Sequence, residues 1–348
     1  MFTNNTIRSF FSLKIFFFSL LVLILSLGLI ADYLEFSEPT IIEQVKAAHY
    51  SAAYYKDKVY VFYKQKDKEY MRMSSYDGEK WTSPVRVVEK KLDFRPSAVE
   101  YNGLLHLVYK GKETYKLYHT TYNGEFWTEP KEIKELLATS EPSICVYDNK
   151  LYMVHNGPGD SFKNMLFYSY YDGSAWTKDT KLTDILCYGR AGLAKHKDAL
   201  YTVMVSKDKK SMMYSKYEKG KDWTIPAEIP GARGGIRPSF ISYDQKLYLF
   251  YHSDRNNLVN YLFYDDGNWT GPYHTSDIRT SYPPAIVQKP GLPGQLHLFT
   301  SKGSEIRHSQ TFNNQGGIKP INGKFKIQLK KATPEKEEEF RVDDVESE

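Results

Sequence analysis

Short runs of alternating apolar and polar residues, broken by two-residue polar turns, fill most of this chain. One unit shows the grammar. Residues 96–101 read as a short strand, and Asn102-Gly103 as a hairpin turn, because both residue types tolerate positive φ. Residues 104–109 alternate apolar positions and read as a second strand. A polar loop over 110–114 leads to a third strand over 115–122, a second Asn-Gly turn, and a fourth strand over 127–133. The same grammar recurs around Tyr76-Asp77-Gly78-Glu79-Lys80-Trp81-Thr82, and again at Trp127, Trp176, Trp223 and Trp269. These are the five tryptophans of the protein, spaced by 46, 49, 47 and 46 residues.

A fixed period of this length, with four short strands per unit, predicts a repeat architecture of the propeller type. One four-stranded unit cannot bury both faces alone, so neighbours stack around an axis. A tryptophan at a constant place then fills the gap between neighbours. Units begin near Ser51, Pro96, Pro142, Ala191, Pro238 and Pro284, and the sixth has no Trp. Residues 36–42 align with 81–87, 45 residues on, so the N-terminal segment is expected to supply the outer strand of the last blade. Such closure leaves no long open sheet edge. The expected fold is therefore all-β: a six-bladed β-propeller of four-stranded antiparallel blades over 36–331, preceded by one N-terminal hydrophobic helix.

That helix is expected over 15–31, where 17 residues carry no charge. It follows a cytoplasmic N-terminus, 1–14, that holds Arg8 and Lys14 and no acid. The pattern is a signal anchor or a signal peptide. Either way the positive flank stays inside, and the propeller is exported, held at the membrane where the anchor is kept. Residues 332–348 read as an acidic disordered tail. The tail carries eight acids against Lys336 and Arg341, a charge of −6, so the rest of the chain is +5 − (−6) = +11. Cys145 and Cys187 fit no metal spacing and fall in neighbouring blades, as a disulfide or as two buried thiols. The reading calls for no metal and no cofactor.

Candidate chemistry follows from propeller geometry. The residues just before each innermost strand converge at one end of the central channel, and a convergent concave mouth is the default ligand site. Aligned repeats place His49, Arg95, Glu141, Arg190, Arg237 and Pro283 there, with Tyr282 beside the last. Arginine presents a planar fork suited to carboxylate, phosphate or sulfate. Loops on the same face carry Lys64, Lys110, Lys112, Lys207 and Lys302, which would concentrate an anionic partner. Two readings of the ring stand: an anion site, or a channel lining whose charges pair with Glu141 and Asp93.

The Tyr-Asp-Gly-x-x-Trp turns resemble a shortened form of the Asp-box of sialidases; Ser75-Tyr76-Asp77-Gly78-Glu79-Lys80-Trp81 is one residue short of it. Phe94-Arg95-Pro96 is similar to the motif that carries the first sialidase arginine, without its Ile. This resemblance implies a six-bladed fold. It also implies an arginine triad of Arg95, Arg190 and Arg237, a Tyr282–Glu141 nucleophile pair, and Asp93 as the candidate acid. The repeats also resemble fucose-binding propeller lectins, which hold sugars between blades. The blade-to-blade changes at the ring position argue against six equal sugar sites.

The expected function is an exported, membrane-anchored, lectin-like propeller that takes an acidic glycan or glycoprotein at the channel mouth through Arg95, Arg190, Arg237 and His49. The alternatives are an exo-glycosidase of sialidase type, which needs a nucleophile and an acid, and a protein-binding scaffold. Export argues against nucleic acid. On the ring model, replacing Arg95 and Arg237 by Ala abolishes glycan binding and leaves the thermal midpoint nearly unchanged.

Overall fold

The computed structural model describes residues 34–311, apart from 67, 158–164, 209–210, 234, 236, 254–255 and 291–293. The expected segments 1–14 and 15–31, the end of the propeller range beyond 311, and the acidic tail lie outside the described residues.

The expectation of a helix needs correction. The described residues form strands, turns and bends, with no helix, and among them no helix is long and apolar enough to cross a membrane. Period-two alternation and closely spaced Gly and Asn turns commit the described chain to antiparallel ladders throughout.

The strands pair in six four-stranded groups. Ser97–Tyr101, Leu104–Lys110, Lys116–Tyr122 and Lys131–Leu137 form one complete sheet, and Ser239–Tyr243, Lys246–His252, Leu258–Asp265 and Asn268–Arg279 another. The other four blades are joined in pairs, because two long strands each serve two blades. The first half of Thr180–His196 is the outer strand of the third blade, and the second half is the innermost strand of the fourth. Thr40–Tyr55 does the same for the sixth and first blades. Each innermost strand packs on the next, and the sixth packs on the first, which closes a ring.

Closure follows the alignment of residues 36–42 with 81–87. Thr40 and Ile41 pair with His308 and Arg307 of the sixth blade, and Phe36 bridges Thr311. The local bonding reproduces that of the Trp-Thr turns. In those turns Thr82, Thr128, Thr177 and Thr224 accept, through Oγ1, the amides of Ser75, Thr121, Tyr170 and Lys216 at 2.9–3.0 Å. Ser37 Oγ accepts the amide of Gln310 at 3.1 Å in the same way.

Each tryptophan sits edge-on against the preceding blade. Trp81 meets Phe299, Trp127 meets Phe62, Trp176 meets His119, Trp223 meets Tyr168 and Trp269 meets Tyr214, with ring centroids 5.4–5.8 Å apart. Phe36 takes the sixth place, 6.2 Å from Phe250. An aromatic pair of this kind contributes about 0.5–1.5 kcal/mol beyond its area burial.

The Asp and Gly of the repeated turns have local work. Asp77 Oδ1 accepts the amides of Glu79 and Lys80, both at 2.9 Å, and Asn123 and Asp172 repeat the arrangement. The Tyr76 hydroxyl donates to the Gly78 carbonyl at 2.7 Å, and Gly78 has φ +111°, which only glycine adopts without strain. The repeated Tyr-Asp-Gly turns are thus held by their own hydrogen bonds. The fourth strand of the second blade begins at Lys131, later than the pattern suggested. Trp127 makes a single bridge to Tyr122, and Pro130 has no N–H to carry the ladder on.

Candidate functional site

In four blades a proline opens the innermost strand or directly precedes it: Pro96, Pro142, Pro238 and Pro284. Proline fixes φ and needs no ladder partner, so it suits a strand start. The residue before it is Arg95, Glu141 or Arg237 in three of these blades.

The structure brings Arg95, Glu141, Arg190 and Arg237 together there. Glu141 is fully buried, Arg95 is 2% exposed and Arg190 9%. Arg237 Nε lies 2.6 Å from Glu141 Oε1, and Arg95 Nε lies 3.7 Å from the same oxygen. These are charge contacts at angles unsuited to hydrogen bonds: neither Glu141 oxygen accepts a hydrogen bond among the described residues. Arg95 donates instead to the carbonyls of Arg237 at 2.9 Å and Pro284 at 3.4 Å. Arg190 donates to the Pro142 carbonyl at 3.2 Å and to Ser143 Oγ at 2.9 Å.

Two guanidinium groups therefore contact one carboxylate, and Arg190 lies within its electrostatic reach. Burial, with Arg190 beside it, pushes the Arg95 guanidinium well below its ordinary value, and Glu141 only partly offsets this. Burial brings Arg190 down to about 10. Desolvation disfavours the charged form, and like charges add to that. An anion placed here would relieve both.

The outer rim is aromatic. His49 sits edge-on to Phe94, 5.8 Å away, and 6.4 Å from the Tyr282 ring. The Arg237 guanidinium stands 5.3 Å from the centre of the Phe94 ring, a cation–π placement. Burial, opposed by Glu141, brings His49 down to about 4, so at neutral pH it is uncharged. Arg237 has φ +64°, an uncommon conformation for a non-glycine residue. Strain of this kind costs of order 1–3 kcal/mol and clusters at binding sites.

Two expected placements do not hold. Asp93 stands apart from the ring: its carboxylate pairs with Lys110 and accepts the amide of Glu113 at 3.3 Å. Tyr282 is not joined to Glu141, since both carboxylate oxygens lack a hydrogen-bond donor. Tyr282 lies instead against His49, and its carbonyl accepts the Thr280 hydroxyl at 2.6 Å. Nor can Arg95 be a silent surface residue, because its burial and its two carbonyl bonds make it part of the ring closure. Replacing it will lower the thermal midpoint.

Sequence reasoning missed Phe94, Ser97 and Ser143. The serines were signalled by the Pro-Ser pair at constant phase in Pro96-Ser97, Pro142-Ser143 and Pro238-Ser239. Cys145 and Cys187 are free thiols in one apolar cluster, raised by burial to about 11 and about 12.

Residues 95–233 match the family model described as the DUF6242 beta propeller domain. No curated protein matches the chain. Several solved structures do. A protein of unknown function from Dyadobacter fermentans is 11% identical over 79% of this chain and 97% of its own, with a TM-score of 0.61. The Aleuria aurantia lectin in complex with Fucalpha1-6GlcNAc is 12% identical over 78% of this chain and 94% of its own, with a TM-score of 0.61. The SapL1 lectin in complex with alpha methyl fucoside is 15% identical over 79% and 96%, with a TM-score of 0.58. At these identities the likeness is one of fold, and together with the family match it establishes the chain as an all-β propeller.

Proposed function

We propose that the chain is a carbohydrate-binding propeller that takes the anionic group of an acidic glycan at the arginine ring. One observation carries this: two guanidinium groups contact a single buried carboxylate, with a third, Arg190, in the same ring beside an aromatic rim. Arg237, whose side chain is 18% exposed, is the group an incoming carboxylate or sulfate would meet first. Phe94, His49 and Tyr282 offer apolar faces on which a sugar ring can pack. The lectins of similar fold are captured with fucosides, which supports a sugar as ligand. The arginines support an acidic one.

The site reads as binding rather than catalysis, because Glu141 contacts Arg237 and Arg95 and accepts no hydrogen bond from the tyrosine it would have to activate. We also propose export. The uncharged stretch 15–31 behind Arg8 and Lys14 supports it, and protease protection of the propeller in intact cells would overturn it.

The test of the binding reading is titration of the full chain with 3′-sialyllactose, a sulfated disaccharide, and lactose as neutral control at physiological salt. An acidic sugar should bind, lactose should bind far more weakly, and Arg237→Gln should weaken binding roughly thirtyfold, the equivalent of ~2 kcal/mol. Equal binding of lactose, or an unchanged affinity in the variant, would remove the ring from the account.

A further inference from the structure

Two of the ring arginines, Arg95 and Arg190, also line a cavity of about 380 Å³ between the innermost strands. Its wall includes Arg95, Arg190, Ser51, Ser97, Ser143 and Ser239. The serines occupy the same phase in four of the six blades, at or within the start of the innermost strand. This wall differs from the outer rim. It also includes Tyr54, Phe240 and the carboxylate of Glu100, while Glu141 is already engaged by Arg237 at 2.6 Å.

Among the described residues the Arg190 guanidinium has only uncharged acceptors. They are the Pro142 carbonyl at 3.2 Å, Ser143 Oγ at 2.9 Å and Ser97 Oγ at 3.5 Å. Its Nη1 makes no hydrogen bond among the described residues. Ser51 is 6% exposed, and its Oγ has no hydrogen-bond partner among the described residues. The wall therefore combines a buried cation without a hydrogen-bonded anion and hydroxyl groups that can rotate to donate. Charge-assisted bonds from a guanidinium fork and hydroxyls suit an oxyanion.

We propose that this inner chamber is a binding site for a small inorganic oxyanion, phosphate or sulfate, held by the Arg190 fork with the Ser51, Ser97 and Ser143 hydroxyls. The chamber has room for such an ion with several waters. The chamber shares Arg95 and Arg190 with the ring, but Arg237, His49, Phe94 and Tyr282 are not in its wall, so variants of the serines and of the aromatic rim tell the two readings apart. Its effect is on the fold: an ion that binds only the closed ring stabilises it by mass action.

The test is the thermal midpoint of the full chain against phosphate, sulfate and chloride at matched ionic strength. Wild type is compared with Ser143→Ala, Ser51→Ala and the outer-rim variant Phe94→Ala. Phosphate or sulfate should raise the wild-type midpoint saturably and more than chloride. The concentration for half the effect should rise at least fivefold in Ser143→Ala and stay unchanged in Phe94→Ala. Arg190→Lys keeps the charge and loses the fork, so its response should weaken as well. If Arg190→Lys does not fold, the serine variants still decide. A rise that follows ionic strength alike for all three salts, or an unaltered response in both serine variants, overturns the site.

Discussion

Replacing Glu141 by Gln keeps the side-chain volume and removes only the charge, so no cavity term enters. In the native ring the carboxylate lies 2.6 Å from Arg237 Nε and 3.7 Å from Arg95 Nε, with no exposure to solvent. Two unit charges 4 Å apart interact by about 4 kcal/mol at an effective dielectric constant of about 20. Breaking a buried pair by removing one partner costs about 3–5 kcal/mol, because the other charge is left uncompensated. Here three cations remain, with Arg190 and Arg237 already pressing on Arg95. The expected loss is therefore about 3–5 kcal/mol, read as a lower urea midpoint with an unchanged slope. Because the pair is desolvated, moderate salt should screen the effect little. Added sulfate should restore more stability to Glu141→Gln than to wild type, since an anion can replace the missing charge. A loss below about 1 kcal/mol, the range of surface ion pairs, would refute the claim that Glu141 balances the ring.

Three further outcomes follow. Ile42 is 1% exposed in the cluster that joins the first and sixth blades, so Ile42→Ala should lower stability by about 2–5 kcal/mol in urea unfolding, and a neutral effect would deny that the N-terminal strand closes the ring. Burial lowers His106 and His297 to about 4 and His119 and His308 to about 3, so these residues fold neutral. The unfolded chain takes up protons first, hence stability should hold above the ordinary histidine value of 6.5, fall as pH drops below it, and stop falling from this cause near 3–4; an acid unfolding curve unchanged by His297→Asn with His308→Gln would contradict this. Cys187 is buried and Cys145 half-buried; burial raises the thiols to about 12 and about 11, so both should resist a thiol reagent at pH 8 until the protein is unfolded, and rapid labelling of Cys187 in the native chain would contradict this.

Much of the ring was legible because its signals are local. Asn-Gly and Asp-Gly turns, a Trp-Thr pair at constant phase, and prolines at strand starts each act within a few residues. Even the closing strand could be read, since Phe36-Ser37 repeats the chemistry of Trp81-Thr82: an aromatic for the blade in front and a hydroxyl for one amide. The helix expectation had no such repeat behind it, and the segment that suggested it lies outside the described residues. The shared strands, Thr40–Tyr55 and Thr180–His196, were harder to see, because no turn marks where one blade hands over to the next. At the site, phase along the chain identified which residues meet but not their partners. Whether Glu141 turns to Tyr282 or to Arg237 depends on side-chain direction across blades 96 residues apart in sequence. Asp93 was one position before Phe94 in the same loop, yet Lys110 from the neighbouring hairpin captures it. The positive φ of Arg237 carries no sequence signature, since glycine would be the residue to announce it.

The most direct test of the central claim is a glycan array probed with the full chain at low and at physiological salt. The account predicts retained binding to sialylated or sulfated glycans at physiological salt, with their neutral counterparts silent. Binding that vanishes at physiological salt would leave only a basic surface, and a blank array would contradict the claim and turn attention to a protein partner.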